Sequence, residues 1–296
     1  MATNLNVSGL TDYVNVHKDE LLVKATVGAR TLDYVEIMPN VAYKDALQYL
    51  DSEVELADGS VCGFNPAGSD VFTERYIETK AVKVEKSWCS KVFEKKAANY
   101  QLNWEAGRET LPFEQKIAES NMNRIQDAVE NLVWQGNATL GIDGWLAQAS
   151  AETLTVKVTF ASGATTTAKI DAMVAAIPAA ALKKGVNLFI SNTDFRNYVA
   201  EQNASCCANR TIIDAASESI KYVGDSRITI VPVSGLEGTG KMLASPKDGI
   251  VYGTDVENSE NVYRLWFDEK DEAFDFRVLF RAGTAVKYPE QVVLGA

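Results

Sequence analysis

The chain has 296 residues, 46% of them hydrophobic and 23% charged, which is ordinary globular composition and enough for one large domain or two modest ones. A net charge of −11 argues against a general affinity for DNA or RNA, since proteins that hold nucleic acid on their own surface are usually basic. No apolar run reaches membrane-spanning length, and the N-terminus lacks the basic-then-apolar layout of a secretion signal, so residence in a cytoplasm is expected.

Residues 1–36 mix short apolar groups with polar ones and hold no sustained period. They read as an extended arm with one short helix near residues 18–24. Leu21, Leu22, Val23, Tyr34, Val35 and Ile37 need something to pack on. Residues 43–90 read as a long two-stranded ribbon. Turn chemistry at Ala57-Asp58-Gly59-Ser60 and a loop at 63–68, containing Phe64, separate its halves. The stretch 73–86 (TERYIETKAVKVEK) alternates polar and apolar at period two, with Tyr76, Val82 and Val84 prominent. A lone ribbon is marginal in water, so it must lie on its own subunit or be covered by another. Residues 87–108 place Trp88, Phe93, Tyr100 and Trp104 at helix-compatible spacing, as a packing cluster.

The strongest helical pattern is 110–136 (TLPFEQKIAESNMNRIQDAVENLVWQG). At ~100° per residue, Phe113, Ile117, Ala118, Ile125, Ala128, Val129 and Leu132 share a dry face. Lys116, Glu119, Asn123, Gln126, Asp127 and Glu130 fall on a wet one. Pro112 suits the first turn and Gly136 the left-handed closing residue. A rise of ~1.5 Å per residue makes this a rod of roughly 36 Å. Asn121 lies inside the dry stripe and is expected to bond a neighbouring loop.

A tight glycine-rich turn follows, pinned by Ile142, Trp145 and Leu146. Residues 154–160 alternate as a strand. Residues 169–184 form an Ala-rich helix interrupted at Pro178. A buried strand at 186–191 and a helix through 195–202 come next, then a strand at 227–233 whose Pro232 points to an edge or a strand end. Residues 262–268 and 274–281 flank Glu269-Lys270-Asp271-Glu272 as a hairpin, and Phe274, Phe276, Val278 and Phe280 alternate cleanly. An extended tail closes the chain. There is no internal repeat.

Chemical motifs are sparse. The four cysteines form no CxxC pair and read as plain thiols, and His17, the single histidine, rules out a His-pair metal site. The segment 235–241 (GLEGTGK) fits G-x-x-x-x-G-K, which would make a nucleotide-hydrolase phosphate loop with Lys241 on the phosphates. Met242 stands where a magnesium-binding Ser or Thr belongs, and the following sequence will not start a helix, so a flexible glycine loop is the preferred reading. The acidic residues Asp268, Glu269, Asp271 and Glu272 read as a solvated hairpin tip. No pair of carboxylates is nominated as acid and base, and no catalysis, metal or cofactor is expected.

The order of parts, the junction ENLVWQGNATLGIDGWL at 130–146, the phrase SPKDGIVYGTD at 245–255 and the stretch FRAGTAVKYPEQVVL at 280–294 resemble the major capsid proteins of tailed bacteriophages, the Hong Kong 97-type shell fold. The resemblance spans nearly the whole chain. It implies an α+β capsid fold with an N-terminal arm (1–42), an extended β-ribbon loop (43–90) and a peripheral domain with the spine helix (91–150). An axial domain (151–255) and the peripheral hairpin and C-terminal tail (256–296) complete it. It implies a structural subunit, not an enzyme, that self-assembles into pentamers and hexamers of an icosahedral or prolate shell around a double-stranded DNA genome. The implied location is the virion, with assembly in the bacterial cytoplasm. Implied partners are sister copies, a separate scaffolding protein, a portal, and decoration or head-fibre proteins. Leu21, Leu22, Tyr34, Phe64, Phe72, Tyr76, Leu236 and Lys241 are the candidate inter-subunit contacts. Some relatives weld subunits through a lysine–asparagine crosslink, for which Lys80, Lys83 and Lys86 are candidates by location. An encapsulin-type nanocompartment enclosing a cargo enzyme is the alternative shell.

Overall fold

The computed structural model describes residues 28–53, 55, 69–89, 113–204, 213–214, 219–255, 262–271 and 273–296. A 3-10 turn, Arg30–Tyr34, leads into β1 (Glu36–Met38), β2 (Lys44–Glu53), β3 (Ser69–Glu78) and β4 (Lys80–Cys89). The long helix α1 (Phe113–Gln135) ends at a small hairpin of β5 (Gly136–Asn137) and β6 (Ile142–Asp143). Then come α2 (Trp145–Ala151), β7 (Val156–Val158), α3 (Thr166–Ala176), α4 (Ala179–Lys184), β8 (Val186–Ser191) and α5 (Asn192–Ala204). The remaining strands are β9 (Ile213–Asp214), β10 (Ser219–Tyr222), β11 (Asp225–Val233), β12 (Met242–Ser245), β13 (Ile250–Thr254), β14 (Val262–Asp268), β15 (Ala273–Val286) and β16 (Val293–Gly295).

Two sheets organise these elements. The seven-stranded sheet runs β7-β16-β12-β8-β11-β10-β9. Ile170 and Met173 of α3 and Tyr198 of α5 pack against Leu188, Ile190, Ile228 and Ile230 of its strands. The five-stranded sheet is built on β15, whose length lets it serve three neighbours. Ala282 pairs with both Lys80 of β4 and Thr254 of β13, so those strands flank β15 on opposite edges. The buried face of this sheet (Val82, Phe274, Phe276, Val278, Phe280) joins Ile125, Val129 and Leu132 of α1 in the main core. The two sheets share the C-terminal chain, because β16 sits between β7 and β12. The sheets do not change over at 255/256: β13 pairs with β15, and the tail ends beside β12.

Several expectations are corrected. Residues 73–86 are not one strand. The chain breaks at Thr79, whose N–H bonds the Tyr43 carbonyl at 2.9 Å and whose hydroxyl donates to the Val41 carbonyl at 2.7 Å. The free ribbon is thus β2 with β3 alone, while β4 lies in the body sheet and carries Lys80, Lys83 and Lys86 away from the ribbon. On α1, Ala128 is exposed and Glu130 buried, the reverse of their assigned faces. The last two turns of α1 are surrounded by the N-terminal turn, by α2 and by Gly235, so burial there exceeds one stripe. Asn121 accepts a hydrogen bond from Lys86 of β4 at 3.0 Å rather than from a loop. Pro232 stands one residue from the end of β11, as expected of a strand end; the β10 partners of β11 stop at Ile230, so only the β8 side is paired there and the missing N–H is tolerated. The break at Pro178, the helix at 113–135 and the C-terminal hairpin are as read from the sequence. Trp88, expected in the helix-compatible aromatic spacing of 87–108, stands in β4, paired with Phe274; the rest of that spacing (Phe93, Tyr100, Trp104) and the helix expected at 18–24 lie outside the described residues. Among the described residues no helix is long and apolar enough to cross a membrane.

Candidate assembly surface

Three large exposed hydrophobic side chains, Tyr43, Phe72 and Tyr76, lie on or beside the ribbon. Lys44 to Glu53 pairs antiparallel with Glu78 to Ser69 without a register shift, so side chains directly across share a face. One face turns inward at the root: Leu47 and Ile77 are buried with Val41, Val251 and Ala285 in a small core of their own. The other carries Phe72, Glu74 and Tyr76 opposite residues 50, 48 and 46, ending in the Lys44–Glu78 pair. Phe72 is 78% exposed and Tyr76 52%, and Tyr43 beside the root is 67% exposed. The Lys44 ammonium lies 4.2 Å above the Tyr76 ring, and the Tyr76 hydroxyl donates to Glu74 at 3.1 Å, which holds the ring flat on the outer surface.

The root is fixed to the body by close backbone approach and by the Arg75–Glu152 ion pair. Gly253 and Gly283 are partners across β13 and β15, and the Ile77–Thr79 turn lies directly over them. A Cβ on Gly283 would be 2.1 Å from the Glu78 carbonyl oxygen. Arg75 reaches Glu152 at the end of α2, with nitrogen–oxygen distances of 2.5 and 3.2 Å, and also bonds the Val286 carbonyl. Between them and Gln148 is an open cleft of about 650 Å³. Further along, Tyr49 meets the Tyr288 ring edge-on at 5.1 Å, and the Lys184 ammonium covers that ring at 4.5 Å. The Arg75 guanidinium holds the Glu152 carboxyl below its ordinary value. Stability from a lowered carboxylate is present above the unfolded value and lost as pH falls through the folded one. Glu152→Gln is therefore expected to loosen the ribbon root by about 1 kcal/mol near neutral pH. The difference from the unmodified chain should fade below the ordinary value of 4.5, read as amide exchange at residues 75–79.

Of the expected contact residues, Leu21, Leu22 and Phe64 lie outside the described residues. Phe72 and Tyr76 come together on the outer ribbon face. Tyr34 is half-buried against the main core, and its carbonyl accepts from Asn187 at 3.0 Å. Leu236 is completely buried inside the same chain and is not offered to a neighbour. Lys241 is partly buried at the end of a turn in which Gly238 and Gly240 take φ of 73° and 65°. That turn enters β12 rather than a helix, so the loop-to-helix geometry of a phosphate loop is not formed. Tyr43, Arg75 and Glu152 were not singled out by the sequence. Arg75 sits in an alternating strand, but its partner is 77 residues away and no spacing announces it. The lysine candidates are engaged within the chain: Lys80 lies 3.8 Å from Glu78 and Lys83 2.7 Å from Glu85. Among the described residues no group of three His, Cys, Asp or Glu is placed to hold a metal.

No protein-family model matches the chain, and no curated protein matches it in sequence. Solved structures do. A chain of the satellite phage P4 procapsid including size determination (Sid) protein aligns with TM-score 0.59 at 11% identity, over 100% of this chain and 97% of that one. The capsid of an empty GTA particle aligns with TM-score 0.56 at 11% identity, over 90% and 89%. A virus-like particle from Pyrococcus furiosus aligns with TM-score 0.52 at 12% identity, over 94% and 96%. At such identities what is shared is the fold: the chain has the fold of phage capsid proteins.

Proposed function

We propose that this chain is a structural shell subunit, a major capsid protein of the Hong Kong 97 type that assembles into pentamers and hexamers around a double-stranded DNA genome. The observation that carries the reading is the ribbon. Phe72 and Tyr76 stand on a face that its own subunit leaves open, and a two-stranded ribbon needs a covering surface to be stable. Burying each of these rings against a sister copy is worth about 1.5–3 kcal/mol. Each subunit repeats the contact, and a heterologous contact that closes makes a ring. The end-to-end match to capsid chains supports the same conclusion. In this reading residues 1–42 are the arm, the seven-stranded sheet is the axial domain and α1 is the spine. A scaffolding protein, a portal and decoration or head-fibre proteins are the expected companions.

Negative-stain microscopy of the expressed chain, alone and with its gene neighbours, is the test. Shells are expected from the unmodified protein. The double variant Phe72→Ser, Tyr76→Ser should keep its circular dichroism and lose shell formation, because both side chains are solvent-exposed in the lone subunit. A monomeric chain under all conditions, or shells unaffected by the double variant, would overturn the reading. The likeness to a virus-like particle favours one other shell reading, a nanocompartment. The contents decide between them: nucleic acid in one case, a protein cargo in the other.

A further inference from the structure

Glu130 is a carboxylate that the shell reading leaves without a task. It is 3% exposed, although it stands on a helix whose neighbouring positions Asn131 and Asp127 face water. Both of its oxygens are taken by one residue of the N-terminal turn. The Thr31 N–H donates to Oε2 at 3.2 Å, and the Thr31 hydroxyl donates to Oε1. The Thr31 hydroxyl in turn accepts from the indole N–H of Trp134 at 2.9 Å. Thr31 and Leu32 are themselves buried, so the turn is the lid over this carboxylate.

We propose that Glu130 makes attachment of the N-terminal turn proton-dependent, the turn being held tightly in acid and released more readily as the pH rises. The bonding permits it. A threonine hydroxyl has two acceptor lone pairs and one donor. It can accept from Trp134 while donating to a carboxylate, and it can equally accept from Trp134 and from a carboxylic acid. Protonation therefore preserves the contact while removing a buried negative charge, which is costly away from water.

The surroundings push the same way. Burial raises the Glu130 carboxyl above its ordinary value, and the Thr31 bonds and the Arg30 charge only partly offset this. Other ionisable groups on the adjoining elements are Asp33 and Tyr34 on the turn, Arg124 and Asp127 on the nearby turns of α1, and Glu237 and Lys241 on the loop that carries Gly235; Tyr34 and Lys241 are partly buried and the others exposed. With the turn lifted, the carboxylate meets water and returns toward its ordinary value. A group whose value is raised in the docked form stabilises that form at low pH, and loses this stabilisation as pH rises through the raised value.

The test is amide hydrogen exchange of residues 29–35 in the full chain, corrected for intrinsic rate, at pH 5, 6 and 7.5. The opening constant of the turn is expected to increase about threefold or more across this range. Glu130→Gln should flatten the dependence. Thr31→Val, which keeps the shape but removes the donor that favours the charged form, should steepen it, and this second variant serves if the first does not fold. A flat profile for the unmodified chain, or an unchanged slope in Thr31→Val, would overturn the proposal.

Discussion

Replacing Trp134 by alanine is expected to cost about 3–5 kcal/mol of folding stability, the range for emptying a buried aromatic site. Few positions join so many parts of the chain. The ring is fully buried and meets Trp145 of α2 edge-on at 5.3 Å and Phe189 of β8 at 5.0 Å. Its indole N–H holds Thr31 of the N-terminal turn. On another side Gly235 packs so closely that a Cβ there would lie 2.3 Å from the ring. Two helices, the seven-stranded sheet, the Gly235 loop and the N-terminal turn therefore lean on one side chain, and the close backbone at Gly235 limits collapse into the void. Trp134→Phe keeps most of the volume and loses the N–H bond, so a loss of about 1–2 kcal/mol is expected. Urea unfolding should be run in the Phe72→Ser, Tyr76→Ser background, because assembly of the native form would add its own stabilisation. Near-equal midpoints for Trp134→Ala and Trp134→Phe would show that packing at this junction is far looser than the contacts indicate.

How much of this was readable from the residues depends on how local the cause is. The long helix α1, the break at Pro178 and the terminal hairpin follow from period, proline and turn chemistry within a short window, and they stand where the pattern put them. The alternation at 73–86 was equally local and misled. Period two continues through Thr79, and nothing in sequence says that β4 turns away to pair with a strand almost two hundred residues later. Glu130 failed for a related reason. On its own helix it faces away from the dry stripe, and only the arrival of Thr31, 99 positions earlier, buries it. Among the candidate contact residues, the outward placing of Phe72 and Tyr76 was legible because an alternating strand with aromatic residues and charge on one face has an outside. Leu236 was not, because a leucine in a glycine turn looks exposed until a tryptophan from another element packs on that turn.

Gly283→Val is expected to abolish shell formation while leaving most of the subunit folded. Gly283 lies where the Ile77–Thr79 turn crosses β15, and a Cβ would come within 2.1 Å of the Glu78 carbonyl oxygen and 3.0 Å of the Thr79 Cα. These are backbone atoms, so no side-chain rotation relieves the contact. Overpacking of this kind costs typically 1–3 kcal/mol, more where backbone must move. The body can absorb it, because β15 keeps its ladders with β13 and β14 on one edge and β4 on the other. The ribbon root cannot. Lifting the turn breaks the Thr79 bonds to Val41 and Tyr43 and withdraws Ile77 from its small core. Because the ribbon is long, a small tilt at the root becomes a displacement of several ångströms at Phe72, roughly 3.3 Å of lever arm per residue. In any assembly of identical copies every subunit carries the same error, so contacts fail together rather than singly. Gly283→Ala should show a milder form of the same defect. Circular dichroism near that of the unmodified chain, faster amide exchange at residues 76–80 and the absence of shells in micrographs form the expected result. Normal shells from Gly283→Val would mean that the ribbon is placed by its neighbour in the assembly and not by the glycine pair beneath it.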